Sequence, residues 1–306
     1  MSLLIGTDPE FFIVNPKTKE FKSSIGVLRG TKTQPQDLGK GYSLFSDNVL
    51  AEMNIPAAPS RDQLLDNIGT GLNKLQQVLG SSYYFSVQAS GYFPEQELQS
   101  EEAKKIGCEP EYCAYELAMV PKQDFDSNFR SAGGHIHLGY SEDEFPLRGE
   151  DNFSKIWVIR MLDLFLGIPS LWLDTDPSSV KRRSLYGSAG THRPKVYGVE
   201  YRATSNFWLC NPTMTGLIWD ICEFTVNFVK EEKHLKLWED METCKAYDVE
   251  LLKQAINQSS KEKAEDIFTD VALKYLPSRI KEAILLQTGK RHIHNSHDVL
   301  STWGKY

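Results

Sequence analysis

Three pairs of polar residues, each spaced two apart, carry the chemistry this sequence can do: Asp8 and Glu10, His135 and His137, Glu200 and Arg202. Residues i and i+2 of an extended strand project from one face, so the members of each pair enter one space together. Glu52 and Asn54 repeat the spacing. Burying so many ionised groups is prohibitive unless they neutralise one another or hold counter-ions. Converging carboxylates offer the hard oxygen ligands that suit Mg2+ or Mn2+. Arginines beside them can grip phosphate oxygens through paired hydrogen bonds. Metal, phosphate and arginine together are the components of phosphoryl transfer, which is chiefly positioning and charge stabilisation.

The histidines sit in Ser131-Ala-Gly-Gly-His-Ile-His-Leu-Gly-Tyr140, where Gly133 and Gly134 let the backbone bend or a ligand come close. Standing alone, this pair reads equally well as two surface histidines on an edge strand. A zinc hydrolase using His135, His137 and one carboxylate is a further option, but it leaves the arginines and the excess of carboxylates unexplained. No Walker motif, GxSxG elbow or HExxH helix is present. Gly107-Cys-Glu-Pro-Glu-Tyr112 echoes the acid-Pro-acid pattern of residues 8–10, which makes Glu109 and Glu111 candidates for the same site.

Strands must position these pairs. Leu3–Val14 reads as strand-like runs broken at Asp8-Pro9-Glu10, with Lys19–Ser23 as a return strand. Residues 24–46 read as a loop or lid, and Phe45–Pro56 as a strand carrying Glu52. Ser60 or Asp62 caps a helix that Gly80 stops near Leu79. Tyr83–Phe93 predicts a strand, Asn152–Gly167 a long helix and Val196–Arg202 a strand. Lys181–Gly190, with Arg182 and Arg183, reads as a basic stretch leading into a small-residue turn. Asn211-Pro212 opens a helix to about Val229. Beyond Lys230 the spacing is helical through Asp248–Asn257, Lys261–Tyr275 and Ser278–Thr288. The tail holds His292, His294 and His297, where a polar, mobile end argues against a second metal site.

The 306 residues, 41% hydrophobic and 25% charged, suit a globular chain with a substantial core. A net charge of -7 argues against nucleic-acid or anionic-membrane binding. Five cysteines without CxxC spacing fit a reduced compartment. The start reaches Asp8 too soon for a signal peptide. The apolar stretch Ile156–Leu173 carries Arg160, Asp163 and Pro169, so it reads as a buried helix. The expected location is cytoplasmic.

In order and spacing, the constellation resembles the glutamine synthetase-like superfamily of carboxylate–amine ligases. Asp8-Pro-Glu10 resembles its first metal-binding carboxylate pair, and Ala51-Glu-Met-Asn-Ile-Pro56 is similar to a segment of the glutamate–cysteine ligases. Gly134-His-Ile-His137, the arginine-bearing stretch Arg182–Arg193 and Glu200-Tyr-Arg202 follow in the family's order. The start Gly6-Thr-Asp-Pro-Glu-Phe11, the strand Gly133–Tyr140 and Val199-Glu-Tyr-Arg202 are similar to a phage-encoded group, the COOH–NH2 ligases of type 2. This resemblance covers Leu3 to Val229. Asp8 stands where many relatives place glutamate, which shortens its reach.

The resemblance implies an α+β fold: a glutamine synthetase-like curved antiparallel half-barrel backed by helices over residues 1–230, with a helical extension over 231–306. It implies ATP and Mg2+ or Mn2+, an acyl-phosphate intermediate, and a small-molecule or peptide carboxylate and amine as substrates. It leaves a homo-oligomer open and, for a phage-encoded chain, puts it in the host cytoplasm. Asp8, Glu10, Glu52, His135 and Glu200 are the implied metal ligands. Arg182, Arg183, Tyr186, Gly187, Arg193 and His135 are the implied nucleotide contacts, and Arg193, Arg202 and His137 the catalytic groups. Asn54, Tyr186 or Glu111 would meet substrate. Other expectations are a guanidino-type kinase, the zinc hydrolase, or a non-catalytic phage structural or binding protein.

Overall fold

The computed structural model describes residues 3–104, 110–121, 126–145, 153–243, 248–291 and 293–304. Nine strands frame the pairs: β1 (Leu4–Thr7), β2 (Glu10–Val14), β3 (Ser43–Asp47), β4 (Leu50–Ala58), β5 (Tyr112–Cys113), β6 (Ala118–Met119), β7 (Ile136–Gly139), β8 (Thr191–Lys195) and β9 (Gly198–Tyr201). They belong to one twelve-stranded antiparallel sheet in which β6, β5, β8, β9, β7, β1, β4 and β2 lie side by side. β3 pairs with β4 as a hairpin. The chain is thus a mixed α/β protein built on a large antiparallel sheet.

Alternation explains how β7 splits its two faces. Ile136 and Leu138 are buried in the main core, while His137 and Gly139 keep some exposure on the other face. Helix α1 (Arg61–Leu79) begins where the Ser60 side chain accepts from the Gln63 N–H and stops at Gly80, whose φ is 61°. It lies closely on β4, since a Cβ on Gly71 would come 3.1 Å from Ile55 and from Met53. Helix α2 (Phe153–Leu173) passes through a π-helical turn at Asp163–Gly167. It is long and apolar enough to cross a membrane, yet 83% of its apolar window is buried inside the protein. Two further helices matter below, α3 (Ser179–Leu185) and α4 (Pro212–Lys230).

Several expectations change. Residues 24–46 are not merely a loop, because β3 within them forms five register pairs with β4. Tyr83–Phe93 is two short strands, Tyr84–Ser86 on β2 and Ser90–Tyr92 on Phe129–Ser131, a separate ribbon. Val196–Arg202 contains a turn, because Thr191–Lys195 is itself a strand and folds back on Gly198–Tyr201. The chain end is docked: the Val87 N–H donates to the His294 carbonyl, and fully buried Trp303 donates to the Leu209 carbonyl at 3.0 Å. Cys108, Glu109, Cys244 and His292 lie outside the described residues.

Candidate active site

Strand register assembles the site. Arg193 on β8 pairs with Glu200 on β9, and Glu200 pairs with His137 on β7. His137 in turn pairs with Gly6 on β1, the strand that leads into Asp8. Directly opposed residues share a face, so four strands present one row of charge. The far end of β4 brings Glu52 opposite Glu10 of β2. Two glycines let the backbone crowd this row. A Cβ on Gly133 would fall 2.2 Å from the His135 ring, and one on Gly134 would fall 2.7 Å from the Ser205 carbonyl oxygen.

Asp8, His135 and Glu200 place one ligand atom each within 4.8 Å of one another. The Asp8 carboxylate lies 3.0 Å from His137 Nε2 and 3.5 Å from His135 Nδ1. Burial pushes Asp8 up, but hydrogen bonds from both histidines outweigh it and hold the carboxyl well below its usual range. Burial lowers His135 to about 4, with Arg202 adding to the effect, so its imidazole is neutral and able to ligate. Glu200 is fully buried and is drawn down to about 2; burial opposes this, and His135 and Arg202 cause it.

Glu10, Asp47 and Glu52 form the second cluster, again within 4.8 Å. Desolvation raises Glu10 to about 7, Asp47 adds to the rise, and the Gly133 N–H at 2.6 Å opposes it. Glu52 is raised well above the carboxylate range by burial, then by Glu10, Asp8 and Asp47. Carboxylates pressed together in this way suit a cation, with oxygens about 2.0–2.6 Å from a Mg2+, Mn2+ or Ca2+ ion. The donor sets fit: three oxygens in one cluster, two oxygens and an imidazole nitrogen in the other.

Cations line the opposite side. Arg202 contacts Glu200, approaches His135 Nδ1 at 3.1 Å, and donates to Glu111 at 2.5 Å. Arg193 lies 3.5 Å from Glu200, and Lys195 reaches its other oxygen at 2.8 Å. The structure therefore brings Asp8, Glu10, Glu52, His135, His137, Arg193, Glu200, Arg202 and Glu111 together. Asn54 is exposed on β4 and bonds the Ser43 hydroxyl.

Arg182 and Arg183 are not brought there, which corrects the expectation of an arginine loop on phosphate. Both lie on α3 and are buried, at 2% and 4% exposure. Arg182 spends its donors on the carbonyls of Ala132, Ala203 and Arg202. Arg183 binds Ser170, Asp174 and Ser259. Gly187 is small because Arg182 Nη1 would lie 2.2 Å from a Cβ there, which makes it a packing glycine. The Tyr186 N–H ends α3 on the Arg182 carbonyl. A basic run beside glycines reads the same whether its guanidinium groups face a ligand or the backbone.

Sequence reasoning missed Asp47, Lys195 and Tyr197. Lys195 was legible, since it continues the two-residue spacing from Arg193. Asp47 sits before a turn rather than two residues from Glu52. Tyr197, between β8 and β9, has its hydroxyl 2.6 Å from His137 Nδ1.

The family model described as "Phage phiEco32-like COOH.NH2 ligase-type 2" matches residues 123–304. This chain belongs to that COOH–NH2 ligase family. The match begins later than the Leu3–Val229 resemblance and runs on through the C-terminal helices. It takes in His135, His137, Arg193, Glu200 and Arg202, and leaves Asp8, Glu10, Glu52 and Glu111 before its start. No curated protein matches. A crystal structure of a bifunctional glutathione synthetase from Pasteurella multocida is similar at 12% identity and a TM-score of 0.44. The alignment covers 99% of this chain and 52% of that one, so the ligase-family chain spans about half the length of that protein.

Proposed function

We propose that this protein is an ATP- and Mg2+-dependent carboxylate–amine ligase on a glutamine synthetase-like half-barrel, with residues 231–306 as a helical extension packed on it. The observation that carries this reading is one charged face holding two carboxylate clusters on one side and Arg193, Lys195 and Arg202 on the other. Asp8, His135 and Glu200 would hold one divalent cation, and Glu10, Asp47 and Glu52 a second. Bound there, such ions supply positive charge to phosphate oxygens.

The reaction uses ATP and a carboxylate, small-molecule or peptide. A carboxylate oxygen attacks the γ-phosphorus, the bond to the β-phosphate oxygen breaks, and ADP leaves an acyl phosphate behind. An amine then attacks the acyl carbon, phosphate departs, and the amine's proton passes to a base. Arg202, held by Glu111, and Arg193 stabilise charge on the transferred group. His137, its Nδ1 on the Tyr197 hydroxyl and its Nε2 on Asp8, orients Asp8 at the phosphate edge. A cytoplasmic setting, and a host cytoplasm for a phage-encoded chain, belong to the same reading.

Calorimetry with Mg·ATP, and with ATP plus chelator, tests it on the wild type and Glu10→Ala. Metal-dependent binding lost in the variant supports the site. A wild type that binds neither removes the ligase and the kinase together. Screening carboxylate and amine pairs for amide and phosphate then separates them, since a guanidino-type kinase releases a phosphorylated product and no amide.

A further inference from the structure

The apolar helix α2 carries two polar residues, Arg160 and Asp163, that the proposed reaction does not use. Both turn to the same place. Asp163 is fully buried and accepts three hydrogen bonds: from the Tyr201 hydroxyl at 2.7 Å, the Gly190 N–H at 2.6 Å and the Tyr115 hydroxyl at 3.0 Å. Arg160 donates to the Ala114 carbonyl at 2.9 Å and lies 5.6 Å from the centre of the Tyr115 ring. The Ala114 N–H closes the arrangement on the Gly190 carbonyl at 2.9 Å. Gly190, with φ of 77°, permits the approach, because a Cβ there would sit 2.7 Å from the Tyr115 ring.

Each partner adjoins a residue of the charged row. Tyr201 stands between Glu200 and Arg202, and Gly190 leads into β8 and Arg193. Tyr115 lies in the turn of the β5–β6 hairpin, just beyond Glu111. A carboxyl buried in an apolar helix costs stability even when hydrogen-bonded. An apolar side chain would serve the helix better.

We propose that Asp163 is a positioning residue: it latches the β5–β6 hairpin and the Gly190 turn so that Glu111, Arg202 and Arg193 meet in register. The purpose of that register rests on the ligase reading; the latch itself does not. The carboxylate clusters hang on β1, β2, β4, β7 and β9, so the latch acts on the anion-handling side.

Hydrogen–deuterium exchange on the wild type, Asp163→Asn and Tyr115→Phe tests it, alongside calorimetry with Mn2+ alone and with Mg·ATP. An asparagine amide cannot accept from all three donors. We expect exchange over residues 112–119 and 188–193 to quicken about tenfold in Asp163→Asn and less in Tyr115→Phe, while residues 136–139 and 61–79 keep wild-type rates. Mg·ATP affinity should fall about tenfold while Mn2+ affinity stays within about twofold. Unchanged exchange in the hairpin, or every segment quickening together, overturns the latch. Should Asp163→Asn fail to fold, the same pattern in Tyr115→Phe decides. A wild type that ignores Mg·ATP removes the ligase reading and leaves the exchange result to judge the latch.

Discussion

Glu10 and Glu52 stand directly opposite one another on neighbouring strands, two carboxyls sharing one buried space with Asp47. Like charges placed this way destabilise a sheet, and a divalent cation removes the conflict. In chelator, Glu52→Gln should therefore melt above the wild type. With Mg2+ or Mn2+ the order should reverse, because the wild type gains about 2.7 kcal/mol at a hundred times Kd. Melting curves with and without chelator check this. A Glu52→Gln protein that keeps the full cation shift takes Glu52 out of the site.

The same conflict sets a pH dependence. Glu10 is raised to about 7 by burial and Asp47, so between its ordinary range and that value the folded chain holds a proton the unfolded chain has lost. Stability from this group is thus present at low pH and lost as pH rises to 7, on the order of 2 kcal/mol. Asp8 and Glu200 act oppositely: their contribution is present above the ordinary carboxylate range and is lost as pH falls below it. Metal-free protein should lose stability between pH 5.5 and 8 in urea titrations, and saturating Mn2+ should flatten that slope. An unchanged slope with Mn2+ would show that the ion does not displace this proton.

Arg202 touches Glu111, Glu200 and His135. Removing it leaves Glu200 and Glu111 short of a cation, a change that typically costs about 3–5 kcal/mol at buried pairs. We expect Arg202→Ala to lose stability on that scale in chelator. Added Mn2+ should restore part of it by supplying the missing charge to Glu200. Denaturant titrations give both values, and a cation that rescues nothing argues against Glu200 as a ligand.

Arg182 and Arg193 should behave as opposites. Arg182→Ala strands three buried carbonyls, an expected loss of about 3 kcal/mol or more. Arg193→Ala should fold with near wild-type stability and bind Mg·ATP about tenfold or more weakly. Equal effects in the two variants would overturn this division.

Much of the site was legible because strand geometry is periodic: residues two apart must share a face, so the pairs at 8/10, 135/137 and 200/202 announced themselves. Helix α1 was legible for the same reason, its leucines at helical spacing between Ser60 and Gly80. What the sequence hid depends on partners distant along the chain. Nothing local distinguishes Arg182, whose donors meet carbonyls 20 to 50 residues away, from an arginine facing phosphate. The strand Ser43–Asp47 was concealed by a Gly- and Lys-rich approach, and pairing with β4 overrode that composition. Asp163 was visible only as an interruption in an apolar run, with no hint of the three donors waiting for it.

β1 pairs with β7, joining Ile5 to Leu138, and β7 pairs with β9, joining His137 to Glu200. During synthesis, then, the carboxylates near the start of the chain must wait for more than half of it to emerge. Contacts so distant along the chain form slowly. A divalent ion meeting the nascent chain finds Glu10, Asp47 and Glu52 long before Glu200 exists, so the two clusters are born in sequence. The first can recruit its ion while the ribosome is still at work; the second is a product of the finished fold.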